Sequence, residues 1–451
     1  MKRRILALLL SVSLAAGLLA GCGTSKDSEK TDPGKQSDSG QQSTTVQQSA
    51  IEFWYHDGNE TSNAIYAELI SRFEKKYPQY KVNYVGLPAD SYLQKYNTAI
   101  ATNSVPDIMS VRDQDISTIV NQKALLEVND ILEGFAEKDS LNKSVLEAVK
   151  KCAIDGKLYA LPEYFTCDIS WVNTAIMKEK GIETPKTIDE FLEACKKYAD
   201  PKNGKYFYSL RGGTGSMENL LDFMFTYADQ SSLFDEDGNC VLNQPIFTEA
   251  LDAYASIYWN GWTSKDSVAN GFKEMVAEFG SGTSMYISHN SSSLAEHNKN
   301  LGEGNFMNVF APANKNGTVV SKNLSFLGFA VTQKAKNQEG AIEFMKFLAT
   351  AENESYLCEK EGRVPANQLV YNEEWYQKDK YMQVYAELLK SDNVKFITHP
   401  VWLAGWGGFK TKYQEPDLQA VLLKEKTSKE VLAKWAEYLT KLQKEYLNSN
   451  K

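Results

Sequence analysis

Histidine is scarce in this 451-residue chain: only four are present, and their spacing matches no metal-ligand pattern. No HExxH, GxSxG or CxxC motif occurs, and no P-loop lysine follows the glycine pair Gly212-Gly213. The familiar signatures of metalloproteases, serine hydrolases, dithiol enzymes and nucleotide-binding proteins are therefore missing, and no metal or cofactor is implied. Positive charge is also in deficit, with 49 Lys and Arg against 58 Asp and Glu. A net charge of −9 argues against a nucleic-acid partner and against a polybasic membrane patch. Long apolar runs are absent after the first twenty residues, so nothing beyond them reads as a membrane span. Cysteine is sparse: Cys152, Cys167, Cys195, Cys240 and Cys358 make an odd set in the body. They read as small buried hydrophobes with at least one free thiol, and a single disulfide among them stays open.

What is present begins at the N-terminus. Lys2, Arg3 and Arg4 precede an apolar run from Ile5 to Ala20, which has the cationic flank and short core of a signal peptide. The run ends in Leu19-Ala20-Gly21-Cys22, which resembles the lipobox of bacterial lipoproteins. Small side chains before the scissile bond and a thiol after it suit diacylation of the Cys22 sulfur and cleavage in front of it. Two or more acyl chains give lasting attachment where one is marginal. Residues 1–21 are thus a signal peptide. Residues 22–50 hold few apolar side chains and cannot repay their ordering entropy, so they read as a disordered tether. Random-coil scaling gives that tether a span of about 30 Å.

The body from Ile51 onward is rich in rings, with 24 Tyr, 20 Phe and 8 Trp in the chain. Most belong in cores, and the surplus of Tyr and Trp suits a site for amphipathic ligands. Ile51–Tyr55 is a strand candidate, and Ile65, Leu69 and Phe73 mark a helix face. Lys81–Val85 is the next strand; Tyr92–Ala101 is a helix, and Ile108–Val111 a third strand. This alternation predicts a parallel sheet with right-handed crossovers. Ligands on such sheets lie beyond the carboxyl ends of strands, which selects residues 56–60 and 112–115. Leu158–Leu161 and Ile169–Val172 read as further strands, and Thr187–Glu190 is a capping box. Asp235–Asn239 reads as a glycine-centred turn rather than a calcium loop. Near the C-terminus Ser428 is placed as a cap, and Leu432, Trp435, Leu439, Leu442 and Tyr446 form one apolar stripe.

A series of motifs in order carries a resemblance. They are Phe53-Trp54-Tyr55 before a helix ending at Phe73–Pro78, Pro106-Asp107, Asp155–Pro162 followed by Trp171–Asn173, and Gly181–Phe191. Phe279–Met285, Gly328–Val331 before Ala341–Leu348, and Gly362–Ala366 complete the series. Over nearly all of the mature body the chain resembles the family 1 extracellular solute-binding proteins, maltose-binding-protein-like lipoproteins that feed sugars to ABC transporters. That resemblance implies an α/β, two-lobed periplasmic-binding-protein-like fold with discontinuous lobes and a hinge. It places residues 51–164 and 328–372 in lobe 1, and 165–327 and 373–451 in lobe 2. It also implies a carbohydrate, an oligosaccharide, bound in the interlobe cleft and delivered to ABC transporter permease subunits. The chain is then a monomer on the extracellular face of the cell membrane, held there through lipid alone.

A sugar needs paired carboxylates and amides for its hydroxyls, and rings for its C–H faces. The strand-end loops offer His56, Asp57, Asn59 and Glu60, then Asp113 and Gln114. Trp54 adds a ring beside the first loop. Glu163 and Phe165 stand at the implied crossing, with a hinge salt bridge as the other reading of Glu163. Arg211 follows a strand-like run, and Ser288, His289 and Asn290 follow another. Trp402 and Trp406 lie among glycines, where either a stacking platform or a plug between lobes fits. Two other functions compete with sugar import: a secreted glycoside-active enzyme, and the same fold holding a polyamine, metal chelate or phosphorylated compound.

Overall fold

The computed structural model describes residues 48–449 apart from 90, 154, 167, 323, 324 and 404. The signal peptide, Cys22 and most of the tether lie outside the described residues, as does Cys167.

The first sheet begins with β1 (Ser49–Tyr55), two residues earlier than the composition change suggests. Alternation buries Ile51, Phe53 and Tyr55 on one face. Phe53 is an anchor of that face, with its ring 5.4 Å from both Tyr66 and Phe344. Helix α1 (Glu60–Lys76) follows, started by the Asn59 side chain accepting from the Ser62 backbone N–H at 3.0 Å. β2 (Tyr80–Gly86), α2 (Tyr92–Ala101), β3 (Ile108–Arg112) and α3 (Asp113–Asn121) complete the alternating unit, and β2 and β3 both run parallel to β1. The buried Asp107 carboxylate accepts from the backbone N–H of Glu52 at 2.8 Å and of Asn337 at 3.0 Å, tying β1 to the chain after its return. β4 (Leu161–Thr166) starts where a strand over Leu158–Leu161 was expected to end.

The chain then enters a second sheet at β5 (Ile169–Val172), joined by β6 (Tyr206–Tyr208), β7 (Ser284–His289) and β8 (Met307–Val309) in the order β6-β7-β5-β8. Helix α4 (Ser216–Ala228) packs here. The capping box at Thr187 forms, with the Glu190 N–H donating to Thr187 Oγ1 at 3.2 Å. β9 (Val319–Lys322) precedes the return to the first sheet as β10 (Ser325–Val331). β10 runs antiparallel between β3 and β4, so the sheet is mixed rather than all parallel. Its register slips at Gly328, where a Cβ would lie 2.4 Å from the Leu161 carbonyl oxygen. Only glycine permits that approach.

Helix α5 (Ala351–Glu361) leads to β11 (Val364–Pro365) on the first sheet, and β12 (Val394–Ile397) pairs with β9. A short helix, α6 (Trp406–Phe409), and the long α7 (Ser428–Ser449) end the fold. The α7 stripe is core: Leu432, Trp435 and Leu439 are buried, with Leu442 and Tyr446 packed beside them. Its cap is Thr427 rather than Ser428. Thr427 Oγ1 accepts from the Glu430 N–H at 3.3 Å, while Ser428 Oγ donates to Asp252 at 2.6 Å. The turn at Asp235 is as expected, with Gly238 at φ +76° and Asp235 Oδ1 accepting from the Asn239 N–H at 2.7 Å.

Each sheet with its helices forms a lobe. The first lobe contains chain from both before and after the second sheet, which makes it discontinuous. Its apolar core continues into an aromatic cluster of Trp171, Phe306 and Tyr381 at the base of the second sheet. Cys152, Cys195, Cys240 and Cys358 are buried free thiols. Among the described residues, no helix is long and apolar enough to cross a membrane.

Candidate functional site

A cavity of about 680 Å³ collects the carboxyl ends of β1 and β3, the strand β4, and the segment around α6. β1 delivers His56 and Asp57, and the β3–α3 turn delivers Arg112, Asp113 and Gln114. Period-two alternation on β4 aims Tyr164 and Thr166 at this space. From the far side come Trp406, Gly407 and Lys410, with Glu218 from the first turn of α4. The size suits a ligand of several rings rather than a single small ion.

The polar groups are held before any ligand arrives. The Arg112 guanidinium lies 4.8 Å from the centre of the Tyr92 ring, donates to the Tyr92 hydroxyl, and sits 3.6 Å from Asp115. The Tyr92 hydroxyl in turn donates to Asp115 at 2.9 Å. Asp113 accepts from the Ser325 hydroxyl at 3.0 Å, and Lys410 pairs with Glu218 at 3.5 Å. Arg363 covers the Tyr164 ring at 5.1 Å and pairs with Glu361 at 3.4 Å. His56 is buried with its Nδ1 3.1 Å from Ser110 Oγ. Burial first, then the charges of Arg112 and Arg363, lower its pKa to about 3, so it is uncharged at neutral pH.

Four carboxylates (Asp57, Asp113, Asp115, Glu218) thus face three cations (Arg112, Arg363, Lys410) in this chamber. Each cation has an acidic partner, whereas neither Asp57 nor Asp113 forms an ion pair among the described residues. Such a wall offers hydrogen-bond acceptors and donors in pairs without a surplus of positive charge for an anion. Tyr164, Phe326 and Trp406 add ring surface.

Two smaller chambers adjoin. One of about 510 Å³ lies between the start of α1 and the end of α5, and shares His56, Asp57, Tyr164 and Arg363 with the central space. The other, of about 330 Å³, shares Glu218 and Lys410 and extends along the second lobe past Arg211, His289 and Asn290.

The residues singled out from sequence divide accordingly. His56, Asp57, Asp113, Gln114 and Trp406 line the central chamber; Asn59 and Glu60 line the α1–α5 chamber; Arg211, His289 and Asn290 line the third. Ser288 borders a small, mostly apolar cavity inside the second lobe. Four candidates line none of these three chambers. Trp54 lies on the sheet face opposite Phe53, stacked 6.4 Å from Tyr96 under the Lys95 ammonium. Phe165 is wholly buried, because alternation on β4 sends its neighbours to the cavity instead. Glu163 is also buried, and accepts from the Tyr66 hydroxyl at 3.1 and 3.0 Å rather than forming a hinge salt bridge. Trp402 donates its indole N–H to Gln443 of α7 at 3.0 Å and packs beside Tyr446, so it joins the last helices rather than a ligand platform.

Sequence reasoning missed Tyr164, Glu218, Arg363, His399 and Lys410, all of which line the central chamber. Arg112, the last residue of β3, lines it too and belongs to the 112–115 loop that the strand-end rule selects. Arg363 lay inside the Gly362–Ala366 motif. Glu218, His399 and Lys410 carry no local signal, because distant segments bring them together. Among the described residues, no group of His, Cys, Asp and Glu could hold a metal ion.

Comparison with known proteins adds four findings. A family model described as bacterial extracellular solute-binding protein matches residues 68–384. YcjN of Escherichia coli K12, named as an ABC transporter periplasmic-binding protein, is 24% identical over 388 residues, covering 84% of this chain and 83% of the relative. The galactooligosaccharide-binding protein of Bacillus subtilis is 23% identical over 390 residues, covering 86% and 85%. Among solved structures, the GacH receptor of Streptomyces glaucescens, studied unliganded and with acarbose, superposes with a TM-score of 0.73 at 20% identity. That match covers 88% of this chain and 99% of the receptor. The E. coli and B. subtilis relatives are binding proteins by name.

Proposed function

The chain belongs to the bacterial extracellular solute-binding proteins, and from that premise we propose that it captures a carbohydrate, an oligosaccharide, in the interlobe cleft and hands it to the permease of an ABC transporter. The observation that carries the sugar reading is the central chamber of about 680 Å³. Its carboxylates, amide and uncharged imidazole meet hydroxyls, its rings meet C–H faces, and its cations are already neutralised. The galactooligosaccharide-binding relative and the acarbose-binding receptor support the same ligand class. Ligand contacts are assigned to His56, Asp57, Arg112, Asp113, Tyr164 and Trp406.

Capture works by hinge closure between the lobe built on the first sheet, which includes β4 and β10, and the lobe built on the second sheet. The ligand stabilises the closed form only because both lobes touch it. The protein acts as a non-catalytic monomer at the extracellular face of the membrane. Lipid on Cys22 anchors it there, and the segment after Cys22 gives it reach.

Thermal melting of the full-length chain in detergent, against mono- and oligosaccharides, tests the ligand class. A bound sugar raises the midpoint according to its affinity. Stabilisation by a polyamine or a phosphorylated compound, with none by any sugar, would overturn the reading. Turnover of a bound sugar on prolonged incubation would instead make the chain a glycoside-active enzyme.

A further inference from the structure

The cleft continues past its central chamber. The space between α1 and α5 measures about 510 Å³. It shares His56, Asp57, Tyr164 and Arg363 with the centre, and Arg363 covers the Tyr164 ring at 5.1 Å. A central chamber of about 680 Å³ already encloses a ligand of ordinary size, so a ligand of one or two sugar units leaves the adjoining space unused.

We propose that the α1–α5 chamber is a further binding subsite, which takes an additional uncharged, hydroxyl-rich unit at one end of an oligosaccharide of at least three units. It rests on the sugar reading above. The lining decides the chemistry. Asn59 and Thr61 provide amide and hydroxyl groups, and Lys360 adds a donor. Carboxylates outnumber cations, with Asp57, Glu60 and Glu361 against Lys360 and Arg363, which disfavours an acidic sugar or a phosphate. Arg363 is held by Glu361 at 3.4 Å, so its charge is not available to an incoming anion. Tyr55, His56 and Tyr164 add ring edges to the lining, and the remaining side chains are hydrogen-bonding groups.

Titration calorimetry of the full-length chain in detergent, against gluco- and galacto-oligosaccharides of one to six units, tests this. Affinity should keep rising beyond two units. Lys360→Ala and Thr61→Ala alter exposed side chains and should each weaken binding of the longest ligand about three- to tenfold, the worth of one net hydrogen bond. Both variants should leave disaccharide binding at the wild-type value. An affinity that levels off at two units overturns the proposal while leaving the sugar reading intact. So do variants that weaken all lengths equally or none. Failure of every length to bind the wild-type chain overturns both.

Discussion

Glu163 offers the sharpest test of how the strand leading out of the first lobe is held. Its carboxyl is buried on β4 and accepts two contacts from the Tyr66 hydroxyl at 3.1 and 3.0 Å. Burial, and then the nearby Glu361, push its pKa well above the ordinary 4.5; the Tyr66 bond and Arg363 pull the other way without winning. The native protein therefore keeps a proton here that the unfolded chain releases above pH 4.5. Stability from this group is complete below that pH and is lost as pH rises toward the folded value. The loss amounts to about 1.4 kcal/mol for each pH unit between the two pKa values. Glu163→Gln keeps the shape and an oxygen for Tyr66, but cannot ionise. Urea unfolding of both proteins at pH 5, 6, 7 and 8 isolates the effect, because other titrating groups cancel in the difference. The variant should gain on the wild type by about 1 kcal/mol or more per unit at the lower end of that range. A difference that is flat from pH 5 to 8 would mean that the native carboxyl is ionised, and a difference growing toward pH 5 would reverse the sign. Either result refutes the reasoning.

Trp406 and Trp402 should separate by assay. Trp406→Leu removes a cleft ring and should weaken sugar binding about three- to tenfold by calorimetry. Trp402→Ala should leave affinity unchanged and lower the urea-derived stability by about 1–3 kcal/mol, through the lost Gln443 bond and packing. His297 is buried among Trp171, Phe279 and Phe306, and burial followed by the charge of His289 lowers its pKa to about 3. The unfolded chain gains a proton here below about pH 6.5, so stability falls as pH drops. His297→Phe should therefore recover up to about 2 kcal/mol at pH 5 relative to pH 7, read by urea unfolding at both. Asp417 is buried and accepts from Lys426 at 2.6 Å, Lys434 at 2.9 Å and the Trp435 indole at 3.0 Å. Asp417→Asn should cost about 1–3 kcal/mol by the same measurement and leave sugar affinity untouched.

Much of the fold is legible residue by residue, because its causes are local. The four-residue spacing of Ile65, Leu69 and Phe73, the Thr187–Glu190 box and the Asp235–Asn239 turn each form from groups within a few residues of one another. The same holds for the strand ends that carry His56 and Asp113, since a strand followed by a helix exposes its carboxyl end to a cleft. The local rules falter by single positions where neighbouring chain decides. On β4 the identity of a strand says nothing about which parity faces outward, so Glu163 and Phe165 were chosen where Tyr164 and Thr166 reach the cavity. Thr427, not Ser428, caps α7 for a similar reason, because Asp252 claims the serine hydroxyl.

The sequence by itself carries a pattern that reads as an export signal and resembles a lipobox at Cys22, and it determined the alternating elements of the first lobe and the order of motifs that marks the family. Each depends on composition or on contacts close along the chain. Only the tertiary structure decided that β10 returns antiparallel between β3 and β4, with Gly328 against the Leu161 carbonyl. It alone set Arg363 over Tyr164 and Lys410 against Glu218. It likewise separated Trp406, at the cleft, from Trp402, bound to the last helix. Those arrangements join residues that are far apart in the chain, and close packing of the whole body, rather than any local preference, selects among them.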